Sequence, residues 1–279
     1  MFPYDILPGI DLYVIFLSLA AFSAIISFGR LADKAGIERS VQNLSIFTAI
    51  AAIIVGYGSA VVFQAFYNIA RDGKFVIDNN TGATFYGGLI GGAVSFIIIY
   101  FIWGYFKFDD NIYKKRFLPV TEVAVASITV AHSLGRIGCL MAGCCHGKAT
   151  SAWFGIKMVG LGYKVVPIQL FEAIFLIILF ALFVYRIYND QKCNLPIYMM
   201  MYGAWRFIIE YARDDYRGST FISFLTPSQL TATIMIIAGI MLYFVMRRIY
   251  VKKASEQINS IEESEAPSEN ITEEVTDEQ

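Results

Sequence analysis

The chain has 279 residues, of which 57% are hydrophobic and only 16% charged, and its mean hydropathy is +0.56. A soluble domain carries about a quarter charged residues, so this balance excludes an ordinary water-soluble globule and marks an integral membrane protein. The net charge of −1 hides a segregation, because nine acidic residues and no basic ones lie between Glu256 and Glu278.

A helix needs about 20 apolar residues to cross the hydrocarbon core. The first run, Leu12–Phe28, follows Asp11 instead of a basic segment and continues for a full span, so a membrane helix is expected and a cleavable signal peptide is not. The second is Leu44–Ile69 and the third Thr84–Phe106. Where the third begins, the stretch TGATFYGGLIGG holds Gly82, Gly87, Gly88, Gly91 and Gly92. Small residues there allow close helix approach, or an irregular backbone whose free N–H groups face an anion. Polar residues interrupt two weaker runs: Glu122, His132 and Arg136 in Val120–Met141, and Arg206 and Glu210 in Ile197–Tyr211. Pro167–Tyr185 and Ser228–Met246 complete the set. The expected fold class is therefore an all-α integral membrane protein with seven transmembrane helices. Loops after the odd spans hold thirteen Lys and Arg against seven in the alternating set, which places the N-terminus outside and the C-terminus in the cytoplasm. The membrane domain is assigned to residues 1–250, and 251–279 to an acidic, disordered cytoplasmic tail. The two halves show no internal repeat of the transporter kind.

Charges inside apolar spans are costly, so each needs a partner or a task. His132 and Arg136 stand four residues apart and share a helix face; Arg206 and Glu210 have the spacing of an intrahelical ion pair. A carboxylate elsewhere in the fold, such as Glu122 or Glu172, is the structural partner open to Arg136. Alternatively the two arginines converge on one anion, since a guanidinium stays charged when desolvated and grips phosphate oxygens bidentately. At that depth the anion is a phospholipid headgroup.

The stretch HSLGRIGCLMAGCCHGK, residues 132–148, carries three of the four cysteines and both histidines. Zinc would accept such ligands, but Cys144 and Cys145 are adjacent and Cys139 is five residues before Cys144, unlike the usual paired spacing. No metal and no cofactor is expected. A disulfide within the cluster, or small apolar side chains filling a tight helix end, remain open. Cys193 lies apart, in a loop.

These residues resemble the signature of the prolipoprotein diacylglyceryl transferases, G-R-I-G-N-F-x-N-G-E-x-x-G-[RK], which reads GRIGCLMAGCCHGK at 135–148. In the same order, GATFYGGLIGG at 82–92 is similar to the family's S-F-H-G-G-L segment, VPIQLFEA at 166–173 to H-P-x-Q-L-Y-E-A, and YGAWRFIIEYAR at 202–213 to Y-G-x-x-R-F-x-x-E-x-x-R. VGYGSAVVFQAFYN at 55–68 is a weaker match that lacks the family's arginine. The resemblance implies transfer of a diacylglyceryl group from phosphatidylglycerol to a prolipoprotein cysteine, forming a thioether and releasing glycerol phosphate at the outer leaflet of a bacterial plasma membrane. It casts Arg136 and Arg206 as the phosphate clamp, and Gly87, Gly88, Gly143, Gln169, Tyr202, Glu210, Cys139 and Cys144 as substrate-binding, lining or orienting residues. The implied partners are phosphatidylglycerol, a prolipoprotein signal peptide or another thiol acceptor, and the lipid bilayer, with no nucleic acid.

This chain departs from the pattern at chemically important places. The family's histidine is Tyr86, its two asparagines are Cys139 and Ala142, and its glutamate is Cys144. A tyrosine, with an unperturbed pKa near 10, is a weak base at neutral pH, which leaves His132 as the substitute candidate. Two rivals to the transferase follow: an inactive member that binds phospholipid or lipoprotein, and a thiol-redox membrane protein using the cysteine cluster.

Overall fold

Among the described residues seven α-helices account for most of the chain, and six of them are long and apolar enough to cross a membrane. The computed structural model describes residues 5–7, 10–73, 75, 77–78, 81–82, 84–214 and 224–265. A short antiparallel pair, β1 (Asp5–Leu7) and β2 (Ile10–Asp11), leads into α1 (Leu12–Lys34), whose first turn is capped by the Asp11 carboxylate accepting from Val14 N at 2.8 Å. Next come α2 (Arg39–Asp72), α3 (Phe85–Lys107) and α4 (Ile112–Ala142), then a small hairpin of β3 (Ile156–Lys157) and β4 (Lys164–Val165). The chain continues through α5 (Ile168–Tyr188), α6 (Asn194–Ile209), a 3-10 turn at Glu210–Ala212 and α7 (Pro227–Glu265).

The helix that falls short is α6. Its 16 residues rise about 24 Å, less than the roughly 30 Å of hydrocarbon. It ends where Glu210 turns the chain into the 3-10 segment, at the polar residues that weakened this run in the sequence. At the other terminus α7 continues through the segment assigned to a tail, as far as Glu265; residues 266–279 lie outside the described residues.

The outward faces are apolar and the interior is mixed, the reverse of a soluble protein. Ile53, Ile54, Phe106 and Ile178 are exposed, whereas Gln42, Glu122, Gln169, Glu172 and Asn194 are buried. Exposed apolar faces on this scale are stable only against lipid. One apolar core joins Phe28 and Leu31 of α1, Val120, Val123 and Ala126 of α4, and Leu179 and Phe183 of α5. A smaller one packs Leu140 of α4 beneath Met158 and Val165 of the β3–β4 hairpin.

Helices α2 and α3 form a close seam. A Cβ at Gly87 would come within 2.6 Å of Phe63 Cβ, and one at Gly88 within 3.3 Å of Ala60 Cβ. Ser59 Oγ donates to Gly87 O at 2.9 Å. A Cβ at Gly91 would land on the Ser59 hydroxymethyl group. Gly91→Ala is therefore expected to cost about 1–3 kcal/mol by overpacking. Ser59→Gly in the same chain should recover part of it, read as the thermal transition of detergent-solubilised protein.

Glu122, one of the two carboxylates open to Arg136, is occupied elsewhere. It accepts Cys193 N at 2.6 Å, Asn194 N, and the Tyr250 hydroxyl at 3.0 Å, so it satisfies the first N–H groups of α6. Fourteen residues of helix put it about 21 Å from Arg136 along α4.

At the start of α2, Glu38 takes Arg116 Nε on both oxygens, at 3.0 and 2.8 Å, and Nη2 on Oε1. These hydrogen bonds hold the Glu38 carboxyl below its ordinary range. A depressed folded-state pKa gives stability that is present above the usual carboxylate pKa of about 4.3 and lost as pH falls through the lower folded value. Both side chains are 36% exposed, so solvent screens the pair and the effect is small. Arg116→Gln should flatten the fall in thermal stability between about pH 5 and pH 3.

Candidate active site

Helices α4, α5 and α6 bring their polar residues together near the Gly143 end of α4. On α4, His132, Arg136 and Cys139 follow one another at spacings of four and three, which keeps them on one face. On α5, Gln169 and Glu172 stand one turn apart. On α6, Tyr198, Tyr202 and Arg206 recur every fourth residue.

Glu172 is the hub. Its carboxylate is fully buried, with Oε2 3.0 Å from Arg136 Nε, and Oε1 accepts the Tyr202 hydroxyl at 2.8 Å. His132 Nε2 lies 3.8 Å from the same Oε1, and the imidazole meets the Tyr202 ring edge-on at 5.2 Å. Tyr198 stacks on Tyr202 at 5.5 Å, and Trp205 on Phe175 of α5 at 4.4 Å, which fixes α6 in rotation. The Arg136 Nε–H is not aimed along the 3.0 Å line to Glu172, so the contact is an ion pair without an aligned hydrogen bond.

Arg206 is held differently. Its Nη2 lies 2.7 Å from Glu210 Oε2 and donates to Ser228 Oγ of α7 at 2.8 Å. Thr226 Oγ1 donates to Glu210 Oε1 at 3.1 Å, and Arg213 Nε stands 3.8 Å from Oε2. The other terminal nitrogen, Nη1, is buried and has no hydrogen-bond partner among the described residues. A guanidinium with one edge pinned by a carboxylate and the other unspent is prepared for an oxyanion.

The cysteine loop borders this site. Gly143 caps α4 at φ 73°, Cys145 takes φ 60°, and Cys144 N donates to Cys139 O at 3.2 Å. That backward turn gathers the three sulfur atoms within 4.8 Å of one another, although their spacing in sequence argued against a common centre. All four cysteines are free. Hydrogen bonding among the three sulfurs lowers the pKa of the Cys145 thiol and raises that of Cys144, so the cluster holds its protons jointly, and the Arg136 and Arg213 charges favour a thiolate at Cys145. Gln169 Nε2 donates to Cys144 O, tying the loop to α5 one turn from Glu172.

Of the residues singled out in the sequence, Arg136, Arg206, His132, Gln169, Tyr202, Glu210, Gly143, Cys139 and Cys144 thus gather around these three helices. Gly87 and Gly88 pack instead against α2. Tyr86 belongs to α3, and its side chain lies outside the described residues. Sequence reasoning passed over Glu172, Ser228, Thr226 and Arg213 as site residues. Glu172 was visible as a carboxylate within the motif VPIQLFEA, but nothing local assigned it three partners.

Fold and site together define a helical membrane protein with two carboxylate-held arginines, suited to an oxyanion, at one end of its bundle. The prolipoprotein diacylglyceryl transferase model matches residues 5–245, and the chain belongs to that family, as a multi-pass bacterial membrane protein of a transferase group. It is 29% identical over 245 residues to the phosphatidylglycerol–prolipoprotein diacylglyceryl transferase of Clostridium tetani, covering 84% of this chain and 92% of that protein. The second such transferase of Clostridium perfringens is 29% identical over 214 residues, covering 74% and 78%. That of Finegoldia magna is 27% identical over 253 residues, covering 88% and 95%. No solved structure matches.

Proposed function

We propose that this chain transfers the diacylglyceryl group of phosphatidylglycerol to the thiol of a prolipoprotein cysteine. The acceptor sulfur forms a bond to the glyceryl carbon, the carbon–oxygen bond to phosphate breaks, and glycerol phosphate leaves. The observation that carries the reading is the buried, unspent Nη1 edge of Arg206 on a helix that packs against the one bearing Arg136. Between them the two guanidinium groups hold the lipid phosphate and stabilise the charge that develops as it departs. Glu172 and Glu210 orient the arginines. His132, one turn from Arg136, takes the acceptor's proton in place of a histidine at position 86.

In this reading residues 1–250 form the catalytic unit in the inner membrane, with α6 as a short seventh span, the N-terminus outside and the acidic end cytoplasmic. The excess of Lys and Arg in alternate loops supports that orientation, and it places the site at the outer leaflet, where exported lipoproteins arrive.

The replacements at Tyr86, Cys139, Ala142 and Cys144 favour a second reading, a member that binds lipid without turnover. One experiment separates the two. Cells depleted of their own transferase should regain lipoprotein modification when they carry this chain, and lose it again with Arg136→Ala. Correct insertion without any rescue would leave the binding-only member standing.

A further inference from the structure

The transferase reading gives the three gathered thiols no chemical task beyond lining the site. Their sulfur atoms lie within 4.8 Å of one another, while thiolates bound at about 2.3 Å around a tetrahedral centre stand roughly 3.8 Å apart. Small side-chain rotations close that difference. The backbone beneath them is held firmly. Gln169 grips Cys144 O, Gly147 N donates to Val166 O at 2.9 Å, and Lys148 N to Ala212 O at 2.9 Å. Cys145 occupies the left-handed region, which a non-glycine residue rarely adopts unless the surroundings impose it.

The electrostatics suit the same conclusion. Three thiolates on a divalent cation carry a net negative charge, and Arg136 stands one turn from Cys139 on the same face of α4. The protein supplies no fourth ligand among the described residues. His146 keeps its Nδ1 3.0 Å from Gly147 O and is outside the gathered group. Cys144 is exposed, so the centre is reachable from outside.

We propose that Cys139, Cys144 and Cys145 bind one thiophilic divalent cation of the zinc class, leaving its fourth position open for the sulfur of the acceptor thiol. Three protein ligands and an open position are the arrangement of a catalytic zinc rather than a structural one. The role given to the open position rests on the transferase reading above. A coordinated thiol gives up its proton, here to His132. The metal-held sulfur then donates its electron pair to the glyceryl carbon of phosphatidylglycerol. The bond from that carbon to the phosphate oxygen breaks, and glycerol phosphate departs with the electron pair between Arg136 and Arg206. No group changes oxidation state. A thiol acidified by a metal makes little demand on a neighbouring base, which accounts for Tyr86 at the family's histidine position.

The test uses the full chain, reduced, purified in detergent and stripped with a chelator, then titrated with Co²⁺ alone. Sulfur-to-cobalt charge-transfer absorption should saturate at about one ion per chain and be displaced by Zn²⁺. It should be lost in Cys139→Ser, Cys144→Ser and Cys145→Ser and kept in Cys193→Ser, whose thiol is buried at the other end of α6. An end-blocked cysteine peptide should then shift the band. Absence of saturable absorption in the wild-type chain, or its persistence in the triple serine variant, overturns the site. A spectrum indifferent to the peptide overturns the open position. Thermal transitions of the variants separate lost binding from lost folding, and protection of the three wild-type thiols from alkylation by Zn²⁺ is a second measure that needs no variant; equal alkylation with and without Zn²⁺ counts against the site. Thioether formation from phosphatidylglycerol is assayed separately. Its failure would strike the transferase reading while leaving the cobalt spectrum unchanged.

Discussion

Arg206→Ala is expected to lower diacylglyceryl transfer from phosphatidylglycerol by about 10²–10³-fold, the usual cost of removing one preorganised donor from a developing oxyanion. The expectation follows from how the side chain is held. Glu210 and Ser228 engage Nη2, while Nη1 is buried with no partner among the described residues. A buried donor left unpaired costs about 1–3 kcal/mol, a cost that is removed when a phosphate oxygen arrives. Arg206→Lys should fail to restore turnover, because an ammonium cannot bridge Glu210, Ser228 and a phosphate oxygen from one planar fork. If the interaction strengthens as the leaving phosphate gains charge, kcat falls while KM changes little. A rise in KM alone, with kcat intact, would show that Arg206 only gathers lipid.

Much of the fold was legible because lipid imposes one strong constraint. Apolar runs near 20 residues long stand out against charged loops, and the helices of the structure fall on them. The exception, α6, is instructive. Arg206 and Glu210 lowered its hydropathy, and the same residues end the helix early by drawing the chain into a 3-10 turn. The site was partly legible for a related reason: an intramembrane charge is expensive, so Arg136 and Arg206 had to mean something. Their partners were harder to read. The spacing of Arg206 and Glu210 announced a local pair, and the pair exists at 2.7 Å. Arg136 has no such neighbour, and Glu122 and Glu172 were equivalent candidates until the packing of α4 on α5 selected one of them. The closeness of the three sulfurs was hidden by their spacing in sequence. Rules for ligand pairs assume a regular chain between them, and left-handed turns at Gly143 and Cys145 break that assumption.

Glu172 should be the most destabilising single site to alter in this region. Its fully buried carboxylate stands against Arg136, accepts from Tyr202 and faces His132. Glu172→Ala leaves the Arg136 guanidinium without its counter-charge and the Tyr202 hydroxyl without its acceptor. Breaking a buried ion pair from one side typically costs about 3–5 kcal/mol. The bilayer moderates the figure, since an unfolded helix still within lipid finds substitute partners. The double replacement Glu172→Leu with Arg136→Met removes both charges and fills the space with apolar atoms, so it should recover most of the lost stability. It should not recover turnover, because the proposed phosphate clamp has then lost one of its two guanidinium groups. Thermal denaturation in detergent together with transfer assays on the two single variants and the double one decides the matter. Stability regained with activity still absent assigns Glu172 the work of positioning Arg136 for the lipid phosphate. Activity returning together with stability would remove Arg136 from the reaction and reduce the pair to a structural tie between α4 and α5.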